Sequence, residues 1–302
     1  MKINSNHVVF IAIIASVLLL EVGIRIFENN LSGNLNHINE IPDIVGQYKE
    51  DQRPKILFLG NSLINESVDV NQLSKSLSDQ YMVDKITPDA TSLWDWNMIM
   101  KNQVFASEVK LDYLVIGFAW GLLSDQYQPN PSRLGGYFSE LSDGILLKKY
   151  GMDTFAQFSE FLLGSLSKLF VNREAVRNKV LVNLVPHYEQ FVRAQNQAGR
   201  PDDVNVAEQE QYNSAQYKII NSLLDRLDED GVKLIILSMP IEDDYSVPPE
   251  LTDLLNSRAY KYIDYRKYFR GTDGVYKDGV HLNDKGRALF TAELKQYFSQ
   301  DI

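Results

Sequence analysis

Asp278-Gly-Val-His281 sets a carboxylate three residues ahead of an imidazole in a glycine-containing loop. Folded back onto Nδ1, such a carboxylate fixes the histidine tautomer and leaves Nε2 free to take a proton from a hydroxyl. The other three histidines offer less. His7 flanks an apolar run, His37 lies in a polar, asparagine-rich stretch, and His187 sits among helical patterns with no carboxylate at a helpful spacing. The matching hydroxyl is Ser62 in Phe58-Leu-Gly-Asn-Ser62, where an apolar run closes on a glycine and a helical pattern begins. Read locally, Ser62 serves equally well as a helix N-cap with Glu66 in the first turn. Read alone, Asp278 and His281 are equally well a surface loop.

The elements that must position these groups favour the pairing. Residues 55–60 read as a buried parallel strand, 81–87 as a second, 111–120 as a third, and 232–240 and 261–265 as two more. Helical patterns separate them, and the chain closes on a helix near 283–300. Alternation of this kind implies a parallel sheet covered on both faces, an α/β fold. Between about 121 and 230 helical patterns dominate, which reads as a large insertion in a single domain of residues 53–302. Ser62 then follows the first strand and His281 the last. Reactive groups in open α/β sheets gather beyond the carboxyl ends of the strands, so both are expected at one edge. The helix after Ser62 adds a positive dipole end near any oxyanion.

Composition excludes several classes. The chain has 302 residues, a net charge of −10 and scattered Lys and Arg, so nucleic acid is not expected as a partner. It has no cysteine, which removes disulfides, thiolate nucleophiles and zinc–thiolate sites. The acidic pairs Asp202–Asp203 and Asp243–Asp244 lack spaced partners and read as solvated loops, leaving no metal site. At the N-terminus, residues 8–27 are apolar except for Glu21 and Arg25 and suffice to cross a bilayer of about 30 Å. Glu21 and Arg25 stand four apart and can pair on a helix. The favoured reading is an uncleaved anchor at residues 1–27, a tether at 28–52, and the bulk of the chain outside the cytoplasm. A cleaved signal peptide and a buried core helix are the alternatives.

The two blocks around Ser62 and His281 resemble those of the SGNH (GDSL-like) hydrolases. Residues 58–62, FLGNS, look like that family's nucleophile block with Asn61 in place of an aspartate. Residues 278–286, DGVHLNDKG, are similar to its final acid–base block. The resemblance implies a three-layer, flavodoxin-like fold and acyl-ester chemistry without cofactor or metal, with Ser62, His281 and Asp278 as nucleophile, base and orienting acid. Among membrane-anchored bacterial members it implies acylated envelope or exported glycans as substrates, and in some a membrane-bound O-acyltransferase as partner. Two blocks depart from the pattern. Residues 87–96 carry Asp89 or Ala90 where a glycine donor is expected. Residues 115–123 keep Gly117 but place Ala119 or Trp120 where an asparagine would stand. Loss of one oxyanion donor costs about 2.7–4 kcal/mol of transition-state stabilisation, and Asn61, Ser124 or Asn130 are candidate replacements.

Three readings follow. The first is a membrane-anchored serine esterase or O-acyltransferase acting on acyl, commonly acetyl, esters. The second is a degenerate domain that binds glycan or an acyltransferase partner. The third, from membrane proximity alone, is a lysophospholipase. Trp94, Trp96 and Trp120 cluster near two strand ends and read as core or as walls for a sugar. Residues 165–168 match Ser-x-x-Lys but lie in an amphipathic pattern without a companion Lys-Thr-Gly, so they read as helix surface.

Overall fold

In a computed structural model that describes residues 5–188, 190–191 and 217–300, the apolar run before Gly60 forms strand β1 (Lys55–Leu59). It is joined by β2 (Met82–Ile86), β3 (Tyr113–Phe118), β4 (Lys233–Ser238) and β5 (Lys261–Asp264). The sheet order is β2-β1-β3-β4-β5 and every pairing is parallel. This is the flavodoxin-type doubly wound order. Interior strands meet protein on both faces, so they are apolar over most of their length; all six residues of β3 are buried.

The helices of the chain begin with α1 (Ser5–Phe27) and α2 (Gly33–Glu50). The sheet is then interleaved with α3 (Ser62–Ser67), α4 (Val70–Leu77) and α5 (Leu93–Ile99). There follow α6 (Pro131–Arg133), α7 (Gly144–Tyr150), α8 (Phe155–Leu166), α9 (Lys168–Val171) and α10 (Arg173–Leu184). The last three are α11 (Lys218–Asp230), α12 (Pro249–Ser257) and α13 (Asp284–Gln300). Helices α4 and α13 pack together over one face, where Phe58 meets Phe298 edge-on at 5.7 Å. Helices α5 and α11 pack together over the other. In α11, Ile219, Ile220, Leu223, Leu224 and Leu227 form the buried stripe, and Gly231 ends the helix in the left-handed conformation at φ 69°.

The chain divides into two compact units. One, Glu40–Pro129 with Val204–Ile302, contains the sheet; the other is Met1–Asn39 with Asn130–Asp203. The stretch expected as an insertion, about 121–230, is shared between these two units. Residues 121–129 and α11 belong with the sheet, and the remaining helices group with α1. The Asp202–Asp203 pair and the break near residues 199–205 lie outside the described residues.

Most of the stretch expected as a tether, 28–52, is helical and forms α2. Leu35, Ile38, Ile41, Val45 and Tyr48 recur at three- and four-residue steps and are buried, and the Tyr48 hydroxyl donates to Ile56 O at 2.7 Å. Asparagines, a glycine and Pro42 between these positions hide the period in the sequence. Helix α1 is long and apolar enough to cross a membrane. Its apolar side chains are exposed, which is not the behaviour of a buried core helix. Arg25 pairs with Glu21 at 2.8 Å, as their spacing implies.

Gly117, near the carboxyl end of β3, lies under the helix that follows Ser62. A Cβ there would fall 2.2 Å from Ile64 Cδ1 and 2.9 Å from Met239 Sδ. Gly117→Ala is expected to destabilise the sheet unit by about 1–3 kcal/mol through overpacking, measured by denaturant unfolding. Combined with Ile64→Ala, the loss should be smaller than the sum of the two single variants.

Candidate active site

Strand β1 runs into Gly60 and Asn61, and α3 starts at Ser62. The N-cap of α3 is Asn61, whose side-chain oxygen accepts from Leu63 N at 2.9 Å. Ser62 is thus not the cap. It occupies the first helical position, and its hydroxyl meets His281 Nε2 at 2.9 Å.

The other nitrogen of His281 faces Asp278. Nδ1 lies 2.9 Å from one carboxylate oxygen and 3.1 Å from the other. An ionised carboxylate only accepts, so the ring proton sits on Nδ1, and the Nε2 lone pair accepts from Ser62. Burial pushes the Asp278 carboxyl up. Hydrogen bonds from the His281 ring and from the N–H groups of His281 and Val280 outweigh that and hold it below the usual range.

Each residue of the final block has a job. Gly279 takes the left-handed turn at φ 74°, which lets residues 278–281 curl. Lys277 N donates to His281 O at 2.9 Å, and Tyr276 bridges Leu282, closing a small hairpin around the turn. Leu282 is buried and anchors it. The Asn283 side chain accepts from Lys285 N and Gly286 N and so starts α13. Gly286 is required by proximity, because a Cβ there would lie 2.4 Å from Val275 O.

Sequence reasoning missed the clamp that joins the two halves. Glu66, one turn after Ser62, accepts from Arg287 at 2.7 Å and pairs with Lys277 at 3.1 Å. Arg287 also donates to Glu66 O at 2.8 Å, and Asp69 N donates to Thr291 Oγ1 at 2.9 Å. Helix α3 is therefore tied to both the histidine loop and α13. The signal was present only as Glu66 and Arg287 on separate helical patterns, with nothing in sequence to pair them.

The loop after β2 braces the two residues before Ser62. Gly60 O accepts from Trp96 Nε1 at 3.0 Å and Thr91 Oγ1 at 3.1 Å, and the Asn61 amide donates to Thr91 O at 3.0 Å. Asn61 thus orders the loop with both ends of its side chain. Trp94 and Trp96 are fully buried, so the reading of them as sugar-facing walls is corrected. Trp120 is half-buried, its ring 6.1 Å from that of Tyr245.

Ala90 and Trp120 both adopt the left-handed backbone, at φ 53° and 47°. They stand in the two blocks that lack the expected glycine and asparagine. A non-glycine residue in this conformation costs of order 1–2 kcal/mol. Gly117 packs against Ile64. Asn130 caps α6 within the other unit, and Ser124 is buried with its oxygen accepting from Gln126 N. The remaining donor at the right end is backbone: Ser62 N–H lies in the first turn of α3, where helical N–H groups lack intrahelical acceptors. Among the described residues no cluster of metal-binding side chains occurs.

No sequence-family model matches the chain, and no curated protein does. Among solved structures the chain is similar to a lipase/acylhydrolase from Enterococcus faecalis, at 12% identity over 81% of this chain and 95% of that one, with a TM-score of 0.40. It is also similar to an acetyl xylan esterase from Geobacillus stearothermophilus, at 10% identity over 82% and 96%, with a TM-score of 0.41. Scores this low leave the chemistry to be read from the site itself.

Because its folded pKa is depressed, Asp278 stabilises the fold above its unfolded pKa, and that contribution is lost as pH falls through the lower, folded value. Carboxyl-carbon NMR titration should place the Asp278 midpoint below that of an ordinary aspartate. In His281→Ala it should move upward; an unmoved midpoint would show that the imidazole contributes nothing to it.

Proposed function

We propose that the chain is an SGNH-type serine ester hydrolase held at a membrane by α1. The observation that carries the reading is the continuous hydrogen-bonded line from Ser62 Oγ through His281 to Asp278. Ser62 Oγ attacks the ester carbonyl while Nε2 takes its proton. Asp278 holds the ring and stabilises the imidazolium that forms. The oxyanion is met by backbone N–H at the start of α3, aided by the helix dipole. Collapse of the tetrahedral species breaks the ester C–O bond, and the imidazolium returns its proton to the departing alkoxide. Water then attacks the acyl-serine, giving its proton to Nε2, and the acid leaves with Ser62 restored. No cofactor or metal is called for.

The resemblance of residues 58–62 and 278–286 to SGNH blocks supports small acyl groups, acetyl above all, carried on hydroxyls of an envelope or exported glycan. If a sugar hydroxyl replaces water in the second half, the same three residues make an O-acyltransferase. With α1 as an uncleaved anchor, the sheet unit lies outside the cytoplasm.

One observation favours a second reading. Where the family pattern expects a carboxamide donor the chain has Ala119 and the left-handed Trp120. A domain lacking that donor would serve as a glycan-binding or acyltransferase-partner module with little turnover.

A fluorophosphonate probe separates the two. The enzyme reading expects covalent labelling of the wild-type chain and none of Ser62→Ala, with acetate released from O-acetylated xylan oligosaccharides. His281→Ala should lower kcat/KM by about 10²–10⁴-fold. A folded wild-type protein that neither takes the probe nor releases acetate from any ester offered establishes the binding reading instead.

A further inference from the structure

Helix α8 presents an apolar face that the protein leaves uncovered. At 100° per residue, Phe155, Phe158, Leu162, Leu163 and Leu166 fall within an arc of about 140°. Phe155 is 87% exposed and Leu166 65%. No charge lies in that arc. Its one polar member, Ser159, returns its hydroxyl to Phe155 O at 2.7 Å, so its hydrogen bond is made within the helix. The opposite face is committed to the protein: Phe161 and Gly164 are buried, and a Cβ on Gly164 would lie 2.1 Å from Ser132 O.

What covers the free face follows from where α8 ends. Arg25, in the last turns of α1, donates to Leu166 O at 3.1 Å. The Glu21 carboxylate accepts from Ser167 Oγ at 2.7 Å and from Lys168 N and Leu169 N, each at 2.9 Å. Glu21 lies six residues before Phe27, about 9 Å along the axis at 1.5 Å per residue. An ion pair that close to the end of a membrane span is costly unless it is fully hydrogen-bonded, and these bonds come from the α8–α9 junction. The junction must therefore reach the depth at which α1 leaves the hydrocarbon. Charge agrees: residues 130–188 carry seven Lys and Arg against five Asp and Glu, while the chain as a whole stands at −10. An anionic bilayer surface does not repel this stretch.

We infer that the exposed face of α8 lies in the lipid bilayer at the acyl-chain and headgroup boundary, as a second membrane contact beside α1. The inference rests on the anchoring reading above. Interfacial helices of this kind bury an apolar face about 5–10 Å into that boundary. The contact fixes the tilt and rotation of the α1-containing unit against the membrane, which a lone span on a free linker would leave unset.

The chain has no cysteine, so single-cysteine variants can be labelled cleanly. Full-length Phe158→Cys, Leu163→Cys, Leu18→Cys in α1 and Lys75→Cys on exposed α4 would each carry an NBD fluorophore. Each would be reconstituted into phosphatidylethanolamine/phosphatidylglycerol vesicles. The expected result is loss of most emission at positions 18, 158 and 163 with nitroxide-bearing lipid, little loss there with iodide, and the reverse at 75. Quenching at 18 together with iodide-accessible labels at 158 and 163 overturns the inference and leaves the anchor standing. Labels at 158 and 163 shielded from both quenchers also overturn it, because a second copy or another protein then covers the face. An unquenched label at 18 removes the anchor, and the inference with it.

Discussion

One hydrogen bond, 2.9 Å from Ser62 Oγ to His281 Nε2, joins residues 219 apart in sequence, and the surrounding structure holds its two ends. Parallel register does the coarse work by bringing the carboxyl ends of β1, β3 and β4 to one edge. Finer placement comes from hydrogen bonds. The loop after β2 supports Gly60 and Asn61, the hairpin around residues 276–282 presents the imidazole, and Glu66 binds both Lys277 and Arg287. Half-exposed ion pairs contribute little stability each. Their value here is geometric, since a hydroxyl and an imidazole that separate by an ångström no longer exchange a proton.

The juxtaposed side chains Ser62, Asp278 and His281 were legible because chemistry restricts residue type and because Asp278 and His281 are close in sequence. The strands were legible because interior parallel strands have no polar face. Other features lacked such a signal. Asn61 and Ser62 are both good N-caps, and a one-residue offset between them cannot be read from preference alone. The α2 stripe is spread among asparagines and a proline, each a sign of irregular chain when taken singly. Helix α11 shows the same amphipathic pattern as the helices before it, and amphipathicity says that a face is buried without saying against which core. Trp94 and Trp96 look like binding-site aromatics by position, and only burial shows them to be core, with the Trp96 indole donating to Gly60 O.

Ala90 and Trp120 share an uncommon backbone conformation. Each holds a left-handed backbone without glycine, and each lies just beyond a strand flanking or near β1. A turn that keeps its shape with a Cβ present keeps the direction of its N–H groups as well. The unfolded chain also has fewer conformations to lose than one with glycine there. Ala119 and Trp120 themselves carry no carboxamide.

The bonds that satisfy Glu21 have a consequence for biogenesis. The carboxylate precedes its Ser167 partner by 146 residues, roughly 7–30 s of translation at ~5–20 residues per second. During that interval only Arg25, one turn further along, is at hand to neutralise it. The local pair can form as soon as the helix does, and the longer-range acceptor role is filled once the later helices emerge. Maturation of this unit is thus ordered in time, with the N-terminal segment delivered first and its charge permanently housed only after more than half the polypeptide has left the ribosome.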